Sequence, residues 1–110
     1  MRMETTEFIV VLVTSPSEGE AEKLASRLVE EKLAACVNII PTSSLFRWEG
    51  KLSKEDESLL IIKTRYSLFH NLEKRVKELH SYQVPEIIAL PVVAGSKQYL
   101  DWLKESVSES

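Results

Sequence analysis

The chain has 110 residues, of which 44% are hydrophobic and 28% charged, and it carries a formal net charge of −3. That length suits one domain over residues 1–110 with a modest core, and mild negative charge without a Lys/Arg cluster argues against a nucleic-acid partner. The single cysteine, Cys36, excludes an internal disulfide and a CxxC-type zinc site; with no apolar leader core in MRMETTEF and no run near the ~20 apolar residues that cross a bilayer, the expectation is a cytoplasmic protein without a membrane partner.

Phe8 to Val13 (FIVVLV) is a continuous apolar run rich in β-branched residues, which predicts a strand buried on both faces. Ala21, Leu24, Ala25, Leu28 and Val29 then recur at helical spacing. Ser15 with Pro16 and Glu18, or Ser17 with Glu20, can cap that helix, and the sequence does not choose between them. Ala35 to Trp48 reads as one long extended segment, with Pro41 calling for a bulge or an edge position. Trp48-Glu49-Gly50-Lys51 reads as a hairpin turn, followed by a return strand that is charged at its start and apolar from Leu59 to Ile62. Leu68, Leu72, Val76 and Leu79 mark one face of a second helix. Ile87 to Val93, interrupted by Pro91, reads as a fourth strand, and Ser96 can cap a short last helix. From Glu105 the tail is polar and is expected to fray.

The order βαββαβ plus a terminal helix is the split βαβ, or ferredoxin-like, pattern of the α+β class. It predicts an antiparallel sheet with two helices on one face. The other face then needs cover. Fourteen extended residues from Ala35 to Trp48 would reach about 46 Å, against a radius of gyration near ~13 Å for a domain of this size. The central hairpin should therefore overhang its own sheet, carrying Leu45, Phe46 and Trp48 into solvent unless a second subunit takes them. A break at Pro41 into two short pieces is the alternative.

The candidates for chemistry are few. Cys36 reads as core packing rather than as a nucleophile or ligand. His70 and His80 would lie ~15 Å apart along one helix and about 80° apart around it, so they cannot share a metal ion. His80 alone could bind a soft metal with partners from elsewhere, or stabilise a helix end. Lys63 and Glu86, opposite charges entering buried strands, point to a mutual ion pair, either structural or lining a cleft for a small polar ligand. Tyr82, Trp48, Tyr99 and Trp102 read as interface aromatics or as pocket walls. With three glycines and no GxSxG, P-loop or HExxH, the chain shows no catalytic signature, and a non-enzyme is expected.

The segments AACVNIIP, FRWEGK, LIIKT and HSYQVPEIIALPV, the last starting at His80, together resemble the CutA family of divalent-cation tolerance proteins. The resemblance covers about residues 8–103. It implies a tight homotrimer, similar in architecture to the PII signalling proteins, with the long hairpin continuing into neighbouring sheets. It implies that Tyr82, Pro85 and Glu86 sit near subunit contacts. It further implies a role in tolerance of copper and other divalent metals, some members binding copper directly. Some bacterial relatives carry a cysteine at the end of the first strand and two adjacent histidines before the Tyr-x-x-Pro-Glu segment. Those positions are Val13, Leu79 and His80 here, so only His80 matches, and the implied copper affinity is weak. The alternative reading is a PII-like sensor binding small molecules between subunits near Lys63, Glu86 and Trp48.

Overall fold

A computed structural model describes residues 7–109 of the chain. The start of the segment read for a leader, residues 1–6, lies outside them. The elements run β1 (Phe8–Ser15), α1 (Glu18–Glu30), β2 (Cys36–Trp48), β3 (Lys51–Arg65), a single 3₁₀ turn at Tyr66–Leu68 leading into α2 (Phe69–Leu79), β4 (Ile87–Pro91) and α3 (Lys97–Ser106). The four strands form one antiparallel sheet in the order β2-β3-β1-β4. This is the ferredoxin-like arrangement.

The β1–α1 turn settles the capping question in favour of Ser17, whose side-chain oxygen accepts from the Glu20 amide at 3.1 Å. Ser15 is buried and serves the turn instead, donating to the Ser17 carbonyl at 2.9 Å. Glu18 and Glu20 lie in the first turn of α1, where the helix dipole favours acids. At the other end Lys32 adopts a left-handed φ of 60°. The amides of Lys32 and Leu33 return to the Val29 and Leu28 carbonyls, closing a Schellman motif.

Side chains alternate across β1: Ile9, Val11, Val13 and Ser15 are buried while Phe8, Val10, Leu12 and Thr14 are only partly so. The expectation of burial on both faces is therefore corrected. One face packs on Ala21, Leu24, Leu28, Leu72 and Val76 of the two long helices, which form the main core with Leu60 and Ile62. Arg75 clamps α2 to the end of α1 by forking onto Glu31, with contacts of 2.9–3.1 Å. Among the described residues the opposite face has no such layer.

α3 closes the end of the sheet where β1 and β2 begin. Leu103 and Val107 are buried there with Ala35 and Leu68. The expected fraying from Glu105 is not found within the described residues: α3 runs to Ser106, Val107 is 5% exposed, and the Ser108 amide donates to the Lys32 carbonyl at 2.9 Å. A lone valine in a polar tail has no periodicity to announce it.

The hairpin is continuous. Pro41 faces Ser58 in an unbroken register on the sheet's outer edge, where its missing N–H costs no ladder bond. The break at Pro41 is thus ruled out. β1 pairs with β3 only from Arg65 to Ser58. Beyond that, from Thr42 and Glu57 to Trp48 and Lys51, two strands run on alone. Glu49 (φ 50°) and Gly50 (φ 77°) form the tip, both left-handed as a type I′ turn requires.

Candidate functional site

Two places in the molecule gather the residues singled out by sequence. The first is the end of the sheet beside His80. The chain leaves α2 at His80, whose amide still bonds to Val76, and its ring tucks under the end of β1. The His80 side chain is fully buried. Its Nε2 lies 2.7 Å from the Thr14 carbonyl and must be the donor. Its Nδ1 accepts from the Tyr82 amide at 2.9 Å. The imidazole is thus the neutral Nε2–H tautomer, with its one lone pair already in use. Glu20 lies 3.5 Å from Nδ1, and its carboxylate also accepts from the Ser81 amide at 3.1 Å. Tyr82 stacks at 4.9 Å from the His80 ring and donates its hydroxyl to Glu57 at 3.0 Å. Partial burial, then the Glu57 carboxylate with Glu55 and Glu20 behind it, push the Tyr82 phenol up to about 12. The network ties β1, α1 and the base of the hairpin together.

A metal ligand must offer a free lone pair. His80 offers none here, and among the described residues no group of three or more His, Cys, Asp or Glu side chains converges. The donor set within one chain therefore does not fit a closed copper site at His80. His70 is exposed on α2 and far from this network.

The second place is the face of the sheet turned away from α1 and α2. Register puts Val10, Leu12, Leu59, Ile61, Ile88 and Leu90 on it together. In the single chain Ile88 is 50% exposed and Leu90 48%. Cys36 also faces this side, opposite Lys63, so it is a half-exposed thiol and not the core residue expected. It sits beside the Tyr99 hydroxyl; partial burial and that neighbour push the Tyr99 phenol up. Tyr99 in turn packs on Trp102 at 5.4 Å.

Lys63 and Glu86 do not pair. Lys63 is in register with Val10 and Leu90, whereas Glu86 precedes Ile87, which is in register with Val13. Four residues along the strand is about 13 Å, and two strands across is about 10 Å more. Lys63 donates instead to the Asn38 side-chain oxygen. Trp48 stands apart from both places, at the tip of the hairpin and 62% exposed. Leu45 and Leu52 share that exposure. A sequence reading names all these residues but cannot assign them to separate places without the strand register.

The CutA1 divalent ion tolerance protein family matches residues 9–106. The chain belongs to that family. The CutA divalent-cation tolerance protein of Thermus thermophilus is 53% identical over 98 residues, covering 88% of this chain and 95% of the relative. The chloroplastic CutA of Arabidopsis thaliana is 52% identical over 111 residues. That alignment spans 96% of this chain but 61% of the longer plant protein. A solved structure described as the periplasmic CutA of Archaeoglobus fulgidus superposes with a TM-score of 0.90 at 46% identity. It covers 92% of this chain and 99% of that one. Two of these three CutA relatives are thus named for compartments other than the cytoplasm. No helix among the described residues is long and apolar enough to cross a membrane.

Proposed function

We propose that the protein is a non-catalytic homotrimer of the cytoplasm that acts in tolerance of divalent cations, copper among them. The observation that carries the reading is the uncovered apolar face beside an overhanging hairpin. A single chain would leave Ile40, Ile88 and Leu90 of the uncovered face in water, with Leu45 and Trp48 exposed on the hairpin beyond it, more apolar surface than a monomer ordinarily shows. The hairpin reaches out from one edge of the sheet and the short β4 stands at the other. Different surfaces on the two edges favour head-to-tail contact, which closes into a ring. The number three rests on the likeness to PII-type trimers.

The non-catalytic reading rests on the buried, fully bonded His80 and on Cys36, whose neighbour is a phenol rather than a base. The cytoplasmic reading rests on the free thiol. Direct copper affinity in this reading is weak and independent of His80. Light-scattering mass followed by copper titration of the same sample tests it. A mass three times 12.5 kDa is expected, with copper uptake unaltered in His80→Ala. A monomer removes the trimer, and tight binding lost with His80 removes the argument from its lone pair.

A further inference from the structure

Over the four-stranded part of the sheet, Lys63 and Glu86 are opposite charges on the uncovered face, and neither makes an ion pair among the described residues. Lys63 on β3 bonds to the neutral side-chain oxygen of Asn38 and to no carboxylate among the described residues. Arg65, next on the same face, already has Glu7 at 3.3 Å. Glu86 immediately precedes β4, and continuing the strand's alternation by one residue puts it on the side of Ile88. Glu86 is exposed and makes no ion pair among the described residues. Around them lie Val10, Leu12, Ile61, Ile88 and Leu90. Any surface that covers those residues strips water from both charges, and a charge buried without a partner is heavily penalised.

We propose that the two are partners in trans: Lys63 of one copy pairs with Glu86 of the next across the subunit contact. The inference rests on the homo-oligomer reading and adds the polar element that sets its register. The geometry favours a second copy of this chain as the occupant of the face. Among the described residues, the four-stranded part of the face carries one cation and one anion without an ionic partner, too far apart to meet in one chain. In a head-to-tail ring each contact joins unlike patches, so the Lys63 side of one copy meets the Glu86 side of its neighbour and every pair is satisfied once. A dissimilar partner would have to supply both complements itself.

The test is the dissociation concentration of the oligomer, followed by light scattering, for wild type, Lys63→Glu, Glu86→Lys, the double reversal Lys63→Glu/Glu86→Lys, and Glu86→Gln. Each single reversal places like charges in contact and should raise that concentration at least ~100-fold. The double reversal restores an opposite pair at every contact and should return to within about tenfold of wild type. Glu86→Gln keeps the volume, so the chain folds even where a reversal does not, and it should weaken assembly about tenfold or more. Single variants that assemble like wild type overturn the pairing. So does a double variant as dissociated as its parents, and in that case an oligomeric wild type leaves the assembly itself standing. A wild type that is monomeric at every concentration removes the assembly and the pair together.

Discussion

The His80 ring shows how a residue of chemical interest can be spent on structure. Both nitrogens are bonded to backbone groups, the Thr14 carbonyl and the Tyr82 amide. His80→Ala takes the ring from both in a partly buried place and should cost about 1–3 kcal/mol in urea unfolding. A loss under 0.5 kcal/mol would mean that water replaces the ring without penalty. Tyr82 gives a second, pH-resolved handle on the same network. Its phenol is pushed up to about 12 by partial burial and by Glu57, against an ordinary value of 10. A group whose folded pKa lies above its unfolded one stabilises the fold while protonated. Its contribution is complete below pH 10 and is lost as the pH rises from there through about 12. Alkaline difference absorbance should therefore show a late-titrating tyrosine that disappears in Tyr82→Phe. That variant also loses one exposed-side hydrogen bond, worth about 0.5–1.5 kcal/mol at most. If the late step survives in Tyr82→Phe, it belongs to another tyrosine.

The elements are held by local devices that the sequence announces unevenly. Ser17 and Ser96 cap their helices as side-chain acceptors, and Pro41 sits at a sheet edge, all readable from residue type and spacing. The Schellman turn after α1 is not readable, because a lysine occupies the left-handed position where glycine is the usual signal. Lys32→Gly removes the Cβ from that conformation and should stabilise the chain by up to about 1 kcal/mol. The turn abuts the main core through Leu28 and Ala34, so a thermal melt will register the gain. A lower melting temperature would show that the Lys32 side chain contributes more than its backbone costs. β1 marks the other limit. FIVVLV has no polar alternation, so it reads as buried twice over, yet one chain covers only one of its faces. In the oligomer proposed above the second layer comes from another chain, and the composition of β1 fits that reading. The Lys63–Glu86 pairing fails within one chain for a related reason. Strand identity is legible in a run of residues, but register is set by pairing, and a shift of four residues separates two charges beyond any ion pair.

At the scale of the whole molecule, the fold and the proposed assembly draw on different residues. The core is made of β1, β3, α1 and α2 and contains nothing from the outer hairpin. Trp48, Leu45 and Leu52 are exposed in the single chain and contribute little to its fold. Trp48→Ala should accordingly leave the far-ultraviolet circular dichroism of the folded chain unchanged. It should weaken association by about 2 kcal/mol or more, the range of a buried aromatic anchor, which is roughly a thirtyfold rise in dissociation concentration. Because assembly stabilises only the folded state, the melting temperature of the wild type should climb with protein concentration. The variant should match it only at higher concentrations. This separates the two roles that an aromatic at a hairpin tip can have. A tryptophan that merely closes the turn would lower the melting temperature equally at all concentrations. An unchanged oligomer with unchanged melting would place Trp48 outside the contact, and the hairpin would then need another reason to extend about 23 Å past its last third-strand neighbour.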